Sequence, residues 1–214
     1  MTSSPRIRAL PIDPARHVPV PWFASWVDGK PDFRFVRPER IALAVRRELC
    51  WVCGQPMGRN RAFVIGPMCA INRVSADPPS HRDCALFSAT HCPFLNNPRS
   101  VRRTTGMPDE PLDEPAGIMI RRNPGVALVW VTRRYQVERE GGGVLFRLDD
   151  PVEALWFAEK RPATRDEVMA SIESGYPLLL ETAQAESPNA VRALEAMRDA
   201  AMAWLPAATE PSRA

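Results

Sequence analysis

All five cysteines of this 214-residue chain and two of its three histidines fall within residues 50–94, CWVCGQPMGRNRAFVIGPMCAINRVSADPPSHRDCALFSATHCPF. These side chains are soft or borderline ligands, and their spacing suits one metal ion. Cys50-Trp-Val-Cys53 is followed by Gly54. A two-residue gap lets both thiolates face one ion, and the glycine permits a tight turn that brings amides toward the sulfurs. The second pair is His81-Arg-Asp-Cys84. Ligands three apart at the first turn of a helix share one face. Together the two pairs give the four tetrahedral ligands of a structural Zn2+. An odd number of cysteines cannot all pair within one chain, and a clustered Cys-x-x-Cys reads as metal-binding in a reducing compartment.

Three neighbours compete for the site. Cys69 sits among Pro67, Met68, Ala70 and Ile71 and suits a core thiol. Cys92 precedes Pro93, and Cys-Pro also occurs in iron–sulfur ligation. Cys50, Cys53, Cys84 and Cys92 holding a [4Fe–4S] cluster is therefore the alternative to zinc. His91 is expected at a helix end, near the negative end of the dipole. Buried cysteines without any metal are the other reading, because free cysteine is often buried, but five crowded here by chance is the weaker account.

The elements that would position the ligands can be read around them. Residues 38–49, PERIALAVRREL, form a helix with Pro38 and Glu39 in its first turn and an apolar stripe of Ile41, Ala42, Val45 and Leu49. It runs directly into Cys50. Residues 61–65 and 70–74 are expected as two strands around Gly66-Pro67, and Ser80 as the cap of a helix through RDCALFSATHC.

The order of knuckle, hairpin and ligand-bearing helix resembles the treble-clef zinc finger, on the motifs CWVCG and HRDC, over residues 48–93. Treble clefs include HNH-type nucleases, which need a general-base histidine in the hairpin. The stretch 55–79 has no histidine, His81 is taken by the ion, and Asn72 with Asp77 does not make that constellation. Phosphate-loop, G-x-S-x-G and H-E-x-x-H motifs are absent as well. A binding protein is expected rather than an enzyme, a zinc or iron–sulfur enzyme being the alternative. The block CWVCG…FVIGPMC…NR…PPSHRDCA…CPFL, with VPWF and PDFR ahead of it, also resembles uncharacterised proteins of phages and prophages of high-GC bacteria, over residues 17–98. That resemblance implies a mobile-element setting and carries no catalytic residues with it.

Outside the block, residues 1–37 read as a Pro- and aromatic-rich arm with a turn at 28–31, its aromatics packed on the body. Residues 38–98 are the zinc module and residues 99–117 a polar, proline-bearing linker. Residues 118–206 hold a β-hairpin over 126–148 and C-terminal helices. In the hairpin Val129, Val131, Arg133, Tyr135 and Val137 share one face, and the strand starts apolar on both faces and ends in arginines. Thr164-Arg-Asp-Glu167 is a capping box, and Gly175-Tyr-Pro177 is expected to stop that helix. Ser187-Pro188 starts the last helix, with Val191, Leu194, Met197, Ala201 and Trp204 inward. The fold class is α+β: a treble-clef-like zinc module and a hairpin packed on C-terminal helices.

Length and a 45% apolar content allow a real core. The net charge of +3 is modest, but only Lys30 and Lys160 are lysine among 28 basic residues. Codon bias explains such a ratio, and so does recognition of phosphate or carboxylate by arginine's planar fork. Arg59, Arg61, Arg73 and Arg82, with Arg102 and Arg103, are the candidate contacts to nucleic acid or to a protein partner. No stretch suits a membrane span or a signal peptide, so a cytoplasmic chain is expected.

Overall fold

The computed structural model describes residues 4–33, 36–100, 123–140 and 143–208. The chain is α+β. Its N-terminal part holds α1 (Pro5–Arg8), the strands β1 (Ser25–Val27) and β2 (Lys30–Asp32), and α2 (Pro38–Arg47). The cysteine block holds β3 (Arg61–Ile65), α3 (Pro67–Asn72), β4 (Val74–Ser75) and α4 (Arg82–His91). Then come β5 (Ala127–Thr132), β6 (Tyr135–Glu140), β7 (Gly143–Leu148), β8 (Glu153–Ala158) and β9 (Arg161–Pro162). The chain closes with α5 (Arg165–Glu186), α6 (Pro188–Ala201) and a 3-10 turn, Met202–Trp204.

One antiparallel sheet, ordered β3-β5-β8-β9, organises the rest. Its central strand β5, ALVWVT, is buried at every position, because both faces of the sheet are covered. Ala62, Val129 and Val131 meet Ala85 and Ala89 of α4 on one face. These alanines let the helix lie close to the sheet. Phe63, Ile65, Leu128, Trp130 and Trp156 face the other way, into the main core shared with α3, α5 and α6. Register locks this alternation, with Phe63 opposite Trp130 and Leu128 opposite Trp156, since a one-residue slip would exchange the two faces. A smaller sheet, β4-β7-β6, adds Phe146 and Leu148 to that core.

Several local expectations change. Residues 70–74 do not form a strand: α3 occupies Pro67–Asn72 and only Val74–Ser75 is extended, paired with β7. Pro67 is pre-set for a helical first turn, and Arg73, in the left-handed region at φ 55°, ends it. The hairpin is β6–β7 alone, from Tyr135↔Leu148 to Glu140↔Gly143. β5 belongs to the larger sheet, and the chain bends between the two at exposed Arg133 and Arg134. In α2, Ala44 is buried and Ala42 is exposed, whereas Ile41 and Val45 do pack against the main core.

Gly175 does not stop its helix, since α5 runs through it and through Pro177 to Glu186. A Cβ at Gly175 would stand 3.0 Å from Met68 Sδ, so this glycine serves the close approach of α3 to α5. The capping box at Thr164–Glu167 and the Ser187 cap, which accepts from the Ala190 amide, are present as expected.

The N-terminal region is more structured than an extended arm. Asp28 (φ 47°) and Gly29 (φ 73°) make a two-residue turn of the primed kind between β1 and β2. Phe23 stacks on Trp51 at 5.2 Å, and Trp22 meets the same ring edge-on at 6.2 Å. β3 comes from residues 38–98 and β5 and β8 from residues 118–206, so the sheet joins both sides of residues 99–117. Most of that segment lies outside the described residues.

Candidate metal centre

Cys50 to Gly54 forms a knuckle. The Gly54 amide donates to the Cys50 carbonyl (2.8 Å) and the Cys50 amide to the Gln55 carbonyl (2.8 Å). Gly54 takes φ 71°, and a Cβ there would lie 2.6 Å from the Trp22 ring. Glycine is needed at this position twice over, for the turn and for the ring above it.

Backbone bonds bring the second ligand pair to the knuckle. The Trp51 amide donates to the Pro79 carbonyl (3.0 Å), and Ser80 exchanges both backbone bonds with Ala62 of β3 (2.9 and 2.7 Å). Residues 79–80 are thus pinned between knuckle and sheet, and His81 follows at once. Ser80 was expected to cap the helix; it pairs with β3 instead, and His81 holds the cap position of α4 with Cys84 in its first turn.

The result is a single group of Cys50, Cys53, His81 and Cys84 among the described residues, with one ligand atom from each and all four within 4.8 Å of one another. Tetrahedral zinc with Zn–S of ~2.3 Å and Zn–N of ~2.05 Å requires S···S near ~3.8 Å and S···N near ~3.6 Å. His81 Nδ1 lies 3.4 Å from Cys53 Sγ and 4.0 Å from Cys84 Sγ, on either side of that value. The other ring nitrogen, Nε2, is 3.1 Å from the Pro56 carbonyl. A carbonyl only accepts, so Nε2 carries the proton and the Nδ1 lone pair is left for an ion. The donor set fits zinc.

Cys50 and Cys84 are fully buried, and Ile7 and Val52 close over them with Phe87 alongside. The thiols are crowded enough to perturb one another. The Cys50 thiol is held far below its ordinary value because the Cys53 and Cys84 side chains donate to it, helped by the Cys53 and His81 amides and opposed by burial. Those amides lie 3.4 and 3.3 Å from Cys50 Sγ. Cys84 is pushed up by its bonds to Cys50 and Cys53 and by burial. Cys53 is raised by its bond to Cys50 and by burial, against the opposing bond to Cys84.

The neighbours stand apart. Cys69 is on α3 at the edge of the main core, and burial pushes its thiol up to about 11. Cys92 lies eight residues beyond Cys84 along α4, about 12 Å at helical rise. The set of four thiolates required for the iron–sulfur alternative is therefore not assembled. His91 is exposed, stacked on Phe87 at 4.4 Å.

No family model matches this chain, and neither does any curated protein or solved structure.

The candidate arginines divide. Arg82 donates Nε and Nη2 to Glu153 (2.5 and 2.6 Å), tying α4 to β8. Arg61 is nine-tenths buried, with Nη2 on Glu48 at 3.1 Å. Arg73 pairs with Asp150 at 2.6 Å. Arg59 is exposed and has no partner among the described residues. Arg102 and Arg103 lie outside the described residues. Three further residues, Pro56, Glu48 and Glu153, take part through contacts that sequence separation hid. Arg133 and Arg134 were visible as the charged end of a strand but not as part of a site. No described helix is long and apolar enough to cross a membrane.

Proposed function

We propose that this chain is a non-catalytic zinc-binding protein whose zinc-organised surface binds a partner. The observation that carries the proposal is the convergence of four ligand atoms, three thiolates and one imidazole, within 4.8 Å. Four protein ligands fill a tetrahedral shell and leave no open position for a substrate or an activated water. Of the two residues closest to a nuclease constellation, Asn72 serves a backbone turn instead, its Oδ1 accepting from the Val74 amide. Zinc here joins the N-terminal knuckle to the start of α4, so its binding energy is folding energy for that region.

The partner class favoured is nucleic acid, on the strength of the arginine usage. The phage or prophage setting rests on the resemblance over residues 17–98 alone. Metal analysis of freshly purified protein tests the core of the proposal. One zinc per chain in a colourless preparation is expected. A brown protein containing iron and sulfide, or a metal-free folded protein, would overturn it.

A further inference from the structure

The bend between β5 and β6 separates two hollows. One, of about 750 Å3, is walled by Arg59, Arg73 and Arg147 with Asp149 and Asp150. The other, of about 720 Å3, is walled by Val45, Glu48, Arg61 and Tyr135. Arg133, Arg134, Gln136 and Asp149 border both, so the two form one track across the bend.

The track holds six arginines against three carboxylates. Even with Glu138, which holds Arg147, the arginines around the track outnumber the carboxylates, and a hollow lined mainly by one sign of charge focuses the field. The charges are also incompletely answered. Arg59 and Arg133 are exposed and have no partner among the described residues. Arg61 is nine-tenths buried, and its Nη1 has no hydrogen-bond acceptor among the described residues. Arg134 meets Asp149 at 3.1 Å but is 85% exposed, a pair that water and salt weaken. Arg73 and Arg147 are held in place by Asp150 and by a two-pronged contact to Glu138.

We propose that this cleft binds the sugar-phosphate backbone of a nucleic-acid strand, a step that rests on and deepens the reading of the chain as a zinc-organised binding protein. Arginine forks match phosphate geometry, and a row of them across two joined hollows suits a chain of phosphates better than one anion. An acidic protein would need an apolar anchor at the centre of its interface. Here the Tyr135 ring is already packed edge-on against Phe63 and Phe146, at 5.4 and 5.8 Å. The exposed apolar residues Val137 and Val152 each border only one hollow. Contacts of this kind position a backbone without reading bases. The zinc knuckle tethers the segment that carries Arg59 and Arg61, which links the ion to the cleft.

The test uses the full zinc-loaded chain and fluorescence anisotropy with a labelled oligothymidine and a labelled duplex of mixed sequence. Binding by one or both at low salt, weakening steeply as salt rises, is expected. Arg59→Ala with Arg133→Ala should weaken binding roughly tenfold or more and flatten the salt slope by about 1–2. Arg192→Ala on α6 should leave it unchanged. No binding by either probe, an unaffected double variant, or equal affinity for polyglutamate would overturn the proposal. Zinc is measured on the same samples. Full zinc without nucleic-acid binding defeats the cleft alone, and freshly purified protein that is folded and binds nucleic acid yet contains no zinc defeats the zinc reading alone.

Discussion

The four ligands are not interchangeable with the cysteines around them. Cys84 is buried among Cys50, Val52 and Ile7, where an ion would replace thiol-to-thiol hydrogen bonding. Cys84→Ser removes one corner of a tetrahedron and leaves a hydroxyl in a buried pocket. Zinc content should fall below stoichiometric, and the stability read from urea unfolding should drop by on the order of 3–5 kcal/mol. Cys69→Ser alters a thiol at the edge of the main core and should cost about 1 kcal/mol with zinc retained. Comparing metal content and urea unfolding of the two variants checks this. Equal behaviour would mean that the ligand set is wrong. The chemistry of residue types was legible here because ligand spacing is local: Cys50 with Cys53 and His81 with Cys84 can each be read from four residues. The tautomer of His81 was not, since it depends on Pro56 lying against the ring.

At the scale of elements, the start of α5 shows what local sequence can settle. Thr164 Oγ1 accepts from the Glu167 amide (3.3 Å), and Glu167 reaches back to the Thr164 amide (2.8 Å) and to Arg161. Arg161, then the Thr164 amide, hold the Glu167 carboxyl down to about 2, against an ordinary value of 4.5. A depressed carboxylate stabilises the fold fully above its unfolded value, and that contribution disappears as pH falls through the folded one. The box should therefore support α5 above about pH 4.5 and fade toward pH 2. Thr164→Ala should cost about 1 kcal/mol at neutral pH, and Glu167→Gln should reduce the loss of stability between those two pH values. Thermal melts of wild type and variants across that range measure it. Elements whose nature depends on distant partners were less legible. The run IGPMCAI is apolar throughout, so periodicity alone cannot separate strand from helix. Gly175 looks like a stop, and only Met68, about a hundred positions earlier, explains why the helix continues. Arg61 and Arg82 look like surface charges until Glu48 and Glu153 are placed beside them.

Over the whole molecule the metal centre and the main core are different sources of stability. Among the described residues the main core runs from Phe63 through Trp130 and Trp156 to Leu194, while Ile7, Cys50, Val52 and Cys84 form a separate cluster. α4 connects them, with Cys84 in one cluster and Ala85 and Ala89 against the sheet in another. A chelator strong enough to strip the ion should therefore release the knuckle and the start of α4 first. Hydrogen exchange should show the amides of Trp51, Gly54 and Ala85 losing protection, because their bonds to Pro79, Cys50 and His81 depend on that region staying closed. Amides of β5 and β8 should keep theirs, since both strands are zipped in a sheet whose second face rests on α3, α5 and α6. Between these limits lies β3, paired to β5 on one side and bridged to Ser80 on the other. Its Ala62 amide, bonded to Ser80, should open with the metal, while the amides directed at β5 should not. A uniform loss of protection through β5 and β8 would show instead that the ion holds the entire fold together, making the cleft at the β5–β6 bend as metal-dependent as the knuckle itself.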